Sequence, residues 1–122
     1  MDNLTHTLVG LMLSRAGLNR IAPRASLILM LAANAPDADA VTWFGGTLTH
    51  FCHHRGETHA WAFLPLVAVL PLLIGWLFRP KDQPFRWGGA YVLSLIGVAS
   101  HLLLDWTNSY AIRWGLPFSS DW

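Results

Sequence analysis

Ala60-Trp61-Ala62-Phe63-Leu64-Pro65-Leu66-Val67-Ala68-Val69-Leu70-Pro71-Leu72-Leu73-Ile74-Gly75-Trp76-Leu77-Phe78 runs without a single charged side chain. After the polar connector Arg79-Pro80-Lys81-Asp82-Gln83-Pro84-Phe85-Arg86, a second apolar stretch extends from Trp87 to Leu104, uncharged unless His101 is protonated. Each stretch is close to the ~20 residues needed to cross a ~30 Å hydrocarbon core, so the pair predicts a transmembrane helical hairpin. Pro65 and Pro71 would disfavour a water-exposed helix, but membrane helices tolerate proline where neighbours satisfy the freed carbonyls.

Two shorter apolar helices are expected upstream. Leu4 to Ala16 follows Asp2 and Asn3, both good N-cap residues, and ends near Gly17. Ala25 to Asn34 follows Pro23 and stops before Pro36. At ~1.5 Å per residue each reaches only ~15–20 Å, too short to cross alone. The fold expected is therefore all-α: a small membrane-embedded bundle of about four helices, up-down-up-down, in one domain over residues 1–122. The last residues, Ser119-Ser120-Asp121-Trp122, form neither a polar tail nor a helix end, and lead us to expect a C-terminal continuation. Asp2 and His6 stand where a cleavable signal would carry basic residues, so membrane targeting is expected to fall to the internal segments.

Composition supports this reading. Of 122 residues 53% are hydrophobic and 12% charged, the latter about half the share usual in a soluble domain. Seven Trp residues suit a chain with two headgroup-level interfaces. A net charge of +1 gives no support for a nucleic-acid partner, which usually needs a clustered basic face. Cys52 is the only cysteine, so an internal disulfide is excluded.

Placed on the up-down-up-down path, the charges sort by end. Arg15, Arg20 and Arg24 lie at the first connector and Arg79, Lys81 and Arg86 at the last, which alternation puts at the same end. Short basic loops stay cytoplasmic, so the opposite end, with all six histidines, is expected on the periplasmic side. That end collects His6, Asp37, Asp39, the segment His50–His59, His101 and Asp105.

These residue types are those that bind divalent metals. His101 and Asp105, four apart on a helix, share a face and can hold one ion or two adjacent ones; the alternative is a hydrogen-bonded pair at a helix end. Ionisable groups at the edge of a membrane span are usually functional. Asp37 and Asp39 can converge on a cation through a turn after Pro36, or serve as a cap with a solvated neighbour. Within His50-Phe51-Cys52-His53-His54-Arg55-Gly56-Glu57-Thr58-His59, His54 and His59 are the best ligands, since they flank a Gly-containing turn before a helix start. His50 and His53 are expected behind the ligands or exposed, and Cys52 buried. Arg55 either grips an anionic substrate oxygen or neutralises Asp37 or Asp39. His6, between Thr5 and Thr7 in the first turn of the opening helix, reaches the same end.

Met1-Asp2-Asn3-Leu4-Thr5-His6-Thr7, Pro36-Asp37-Ala38-Asp39, His54-Arg55-Gly56-Glu57-Thr58-His59 and His101-Leu102-Leu103-Leu104-Asp105-Trp106 occur in the order seen in one family. Across essentially its whole length the chain resembles the YdjM-like bacterial membrane-bound metal-dependent hydrolases, some of them LexA-regulated inner-membrane proteins. The resemblance implies a multi-pass inner-membrane protein, metal-dependent hydrolysis, and a polar set of His6, Asp37, Asp39, His54, Arg55, His59, His101 and Asp105. Two positions depart from the family. Glu57 replaces an apolar or aromatic residue and adds a candidate acid or base, and Ala60 replaces a common Ser. A more distant likeness to the zinc-dependent phospholipase C and nuclease superfamily favours a phosphoester substrate.

The function expected is thus a membrane-bound metal-dependent hydrolase acting on a phosphoester or lipid-linked phosphate. One or two divalent ions, zinc first, would be held by His6, Asp37, Asp39, His54, His59, His101 and Asp105, with Arg55 and Glu57 in catalysis. Its partners would be the bilayer and a small-molecule or lipid substrate. The alternative is a metal-binding membrane protein that transports or senses an ion without hydrolysis; ligands clustered at one end disfavour transport through the mid-membrane.

Overall fold

The computed structural model describes residues 2–38, 59–107, 115, 117 and 118. The described residues are helical throughout, with no strand. Helix α1 spans Asn3–Arg15, α2 spans Ala25–Ala32, α3 spans Trp61–Leu77 and α4 spans Trp87–Trp106.

The opening cap is as the sequence predicts. The Asp2 carboxylate accepts the Thr5 N–H at 2.7 Å and the Thr5 hydroxyl at 2.9 Å, satisfying an orphan donor of the first turn. Those hydrogen bonds hold its pKa below the ordinary carboxylate value. Gly17, at φ 119°, turns the chain out of α1 in a conformation that side chains rarely adopt. Arg24 takes the same left-handed region at φ 61°, ahead of α2. Its Nε–H donates to the Phe78 carbonyl at 3.0 Å, which ties the α1–α2 connector to the end of α3. The two basic connectors therefore share one end of the bundle.

Cross-links between helices fix their directions. Ser14 meets Ser26 at 2.6 Å, and Asn34 donates to the Thr7 hydroxyl at 2.9 Å, so α1 and α2 run antiparallel. Ile28 lies against Gly75, whereas Leu29 and Ala32 lie against Gly97. Helix α2 thus runs opposite to α3 and alongside α4, giving the up-down-up-down path. Helix α2 is the central element. Its Ile28, Leu29 and Ala32 are fully buried, packing with Leu72, Ala90 and Leu93 toward the basic end and with Leu64, Ala68, Val98 and Leu102 toward the other.

The sequence reads one continuous span over Ala60–Phe78, but α3 is built in pieces: a 3-10 turn Trp61–Phe63, a short helix Leu64–Val67 and a helix Val69–Leu77. Pro71 has no N–H for the Val67 carbonyl, and its ring crowds that turn. Neighbouring side chains supply donors there: Ser94 Oγ donates to the Ala68 carbonyl at 2.6 Å, and the Tyr91 hydroxyl to that of Pro65 at 3.0 Å. Among the described residues only α4 is long and apolar enough to cross a membrane; α3 reaches about 25 Å.

Helix α1 is polar inside and apolar outside. His6, Gly10 and Ser14 form its buried face, while Leu4, Leu8 and Met12 are exposed. This reverses the orientation of an amphipathic helix in water. Leu66, Leu70, Leu73 and Leu77 of α3, and Val92 and Leu103 of α4, extend the apolar exterior.

Candidate metal centre

The helix directions bring five of the sequence-predicted side chains together at the end opposite the basic connectors. His6 comes from the first turn of α1, Asp37 from a 3-10 turn after α2, His59 from just before α3, and His101 and Asp105 from the last turns of α4. His6, His59 and His101 are fully buried and Asp105 is 1% exposed. Asp39, His54, Arg55 and Glu57 lie outside the described residues, as do His50, Cys52 and His53.

His101 organises the group. Its Nδ1 is 2.7 Å from the carbonyl oxygen of Ala33, one of the carbonyls that α2 leaves without a helical partner at its C-terminus. A carbonyl can only accept, so Nδ1 carries the proton, and in the neutral ring the lone pair sits on Nε2. This is how metal-ligating histidines are oriented. Nε2 of His101 lies 3.1 Å from Nε2 of His59, 3.5 Å from Asp37 Oδ1 and 3.5 Å from Asp105 Oδ2. Nε2 of His59 lies 3.6 Å from each of the same two oxygens.

One ligand atom from each of Asp37, His59, His101 and Asp105 falls within 4.8 Å of the others. Four donors placed ~2.0–2.1 Å from one ion at tetrahedral angles would be about 3.3–3.4 Å apart. The five separations above bracket that value, so this buried group is able to hold a first-row divalent ion. Its composition, two imidazoles and two carboxylates, does not by itself select the metal.

His6 stacks on His101, ring centroids 3.9 Å apart and planes 22° from parallel, with its Nε2 3.3 Å from Asp105 Oδ1. The participant that sequence reading missed is the Ala33 carbonyl. A backbone oxygen has no residue signature, and the one available signal was its place at the C-terminus of α2.

Fold and site together define a helical bundle with an apolar exterior and a metal-competent His/Asp group buried at one end. The chain belongs to the YdjM inner membrane protein family, whose model matches residues 1–122. It is similar to the inner membrane protein YbcI of Escherichia coli K12, with 30% identity over 124 residues, 97% of this chain and 68% of that protein. It is also similar to the uncharacterized protein YfhP of Bacillus subtilis 168, with 29% identity over 130 residues. That match covers all of this chain but only 39% of YfhP's length. No solved structure matches it.

Proposed function

We propose that this chain is a multi-pass membrane hydrolase that uses a divalent ion, zinc first, to cleave an anionic ester such as a phosphoester or lipid-linked phosphate. The observation that carries the reading is the convergence of Asp37, His59, His101 and Asp105 in a buried group of metal-ligand spacing.

Membrane embedding is supported by the outward apolar face of α1 and by the tryptophans. Exposed Trp61 and Trp106 lie at the site end, exposed Trp76 and Trp87 at the basic end. Trp87 and Trp106 bound α4, about 28 Å apart at 1.5 Å per residue, close to the hydrocarbon thickness between two aromatic belts. The basic connectors then face the cytoplasm, with Arg79 over the ring of Trp76 at 4.9 Å, and the site faces the periplasm.

Asp37, His59, His101 and Asp105 would hold the ion, with Ala33 keeping the His101 ring in place. When bound, such an ion supplies Lewis-acid polarisation of an ester oxygen and lowers the pKa of water toward 7. The two carboxylates offset the charge of one divalent ion, so grip on an anionic substrate falls to other groups. Arg55, four residues before His59 in sequence, has the planar fork for it. Glu57 is the candidate proton carrier.

The test is metal analysis of detergent-purified protein, followed by a phosphoester panel on the same sample. Turnover that disappears on chelation and in His101→Ala supports the proposal. A second reading, an ion-binding protein without turnover, is favoured by the four protein donors, a number that suffices to enclose a structural ion. Metal-loaded protein inactive on every phosphoester and ester tried would count against the hydrolase and favour that second reading.

A further inference from the structure

His6 is the part of the cluster that a single ion leaves unused. Its ring is fully buried, and neither nitrogen has a hydrogen-bond partner among the described residues. Nε2 approaches Asp105 Oδ1 at 3.3 Å without hydrogen-bond alignment. Buried polar atoms are nearly always paired, so two orphaned nitrogens on one ring need an explanation.

A fifth ligand to the same ion does not supply it. Even trans ligands at ~2.1 Å from one ion are only about 4.2 Å apart. His6 falls outside the group whose ligand atoms lie within 4.8 Å of one another. It aims at a neighbouring position.

The neighbour is defined by Asp105. Oδ2 of that carboxylate faces His101 Nε2 at 3.5 Å and Oδ1 faces His6 Nε2 at 3.3 Å. Two nearly parallel imidazoles thus present their Nε2 atoms to the two oxygens of one carboxylate. We propose that His6 and Asp105 Oδ1 hold a second divalent ion, with Asp105 bridging it to the ion of the Asp37, His59, His101 and Asp105 group. The proposal rests on the reading of those four residues as the first ion's ligands. Stacked rings that each bind an ion keep the ions about as far apart as the rings, here 3.9 Å, and paired catalytic metals sit ~3.5–4 Å apart.

The second ion also narrows the substrate. Two divalent ions against the carboxylates of Asp37 and Asp105 leave a charge of +4 − 2 = +2, where one ion leaves none. Such a pair suits a phosphoester, whose non-bridging oxygens can span both ions while water fills the remaining positions.

The experiment is metal stoichiometry and manganese electron paramagnetic resonance on detergent-purified protein, loaded with zinc or manganese and then desalted. Wild type is expected to hold two ions per chain and to give an exchange-coupled manganese spectrum. His6→Gln is expected to hold one, with the spectrum of an isolated ion. One ion per chain in wild type would overturn the second position and leave the first standing; no bound ion would overturn both. Two ions retained in His6→Gln would remove His6 from the site. Circular dichroism checks that the variant is folded, and if it is not, the stoichiometry and coupling of wild type decide the question alone.

Discussion

Gly97→Ala tests whether helix spacing, not only ligand identity, sets the metal centre. A Cβ at Gly97 would stand 2.5 Å from the Ala32 Cβ and 3.1 Å from the Leu29 carbonyl oxygen, where carbon atoms normally rest ~3.5–4.0 Å apart. Both neighbours belong to α2 and neither is a flexible side-chain tip, so α2 and α4 must part by about 1 Å at this level. Overpacking of this kind costs about 1–3 kcal/mol. One turn further along α4, His101 donates to Ala33 across 2.7 Å; an added ~1 Å puts that contact beyond hydrogen-bond range. Losing a ligand's orienting partner typically weakens metal binding ~10–100-fold. Gly97→Ala should therefore lower the melting temperature of the metal-free protein by several degrees and weaken zinc binding by one to two orders of magnitude. Gly88→Ala is the control. Nothing lies within 4 Å of that position, and alanine is the better helix former, so its stability should hold or rise with zinc affinity unchanged. Thermal melts in detergent and competitive zinc titration provide both readouts. A Gly97→Ala protein that melts and binds zinc like wild type would refute the helix-spacing argument.

Asp105→Asn should weaken metal binding far more than His50→Ala, because Asp105 lies in the buried group and faces three imidazoles; equal losses in a zinc titration would contradict this. Asp2→Ala should lower the melting temperature near neutral pH, since it removes the cap of α1. The folded Asp2 pKa is depressed, so that stabilisation is present above the unfolded value, ~4, and is lost as pH falls through the folded one. The gap between wild-type and Asp2→Ala melting curves should accordingly narrow below pH ~4, and a gap that widens there would refute the assignment. In a Cys52→Ser background, Gln83→Cys should resist labelling by a membrane-impermeant thiol reagent applied to intact cells, while Glu57→Cys reacts. The opposite pattern would place the site in the cytoplasm. Arg55→Lys should recover only part of any phosphoester activity lost in Arg55→Ala, because it keeps the charge without the fork; full recovery would leave Arg55 a charge only.

The convergence of the site was legible because it depends on alternation, which a sequence records. Once four helices are drawn, His6, Asp37, His59, His101 and Asp105 must fall at one end, and the His101–Asp105 spacing fixes a shared face. Distances of closest approach were not legible. Nothing in the sequence sets Gly97 or Gly10 apart, and only the assembled bundle shows that a Cβ at either would meet the backbone of α2. The division of α3 near Ala68 was half legible. Pro71 announces a missing donor at the Val67 carbonyl, but the hydrogen bond to the next carbonyl, that of Ala68, comes from Ser94 on another helix, and sequence does not say which distant side chain will answer. The same holds for Ala33. Its carbonyl orients His101 only because α2 ends beside the last turns of α4.

The remaining alternative is that the polar end merely locks the helices together, and the hydrogen bonds weigh against it. A lock pairs donors with acceptors. Here a neutral His101 gives its Nδ1 proton to Ala33, and its Nε2 lone pair then confronts two carboxylate oxygens at 3.5 Å, which can only accept; His59 Nε2, 3.1 Å away, can donate to it in one tautomer. His6 lacks a hydrogen-bond partner for either nitrogen among the described residues, and each buried unsatisfied polar group costs about 1–3 kcal/mol. Packed apolar side chains at such positions are often as stable or more so, and this chain already places leucine and valine at the adjacent layer, Leu64, Val98 and Leu102. A group in which acceptors outnumber donors at ~3–3.6 Å is poor as a lock. It is the arrangement that a divalent cation, with donors ~2 Å away on every side, turns from repulsive to attractive.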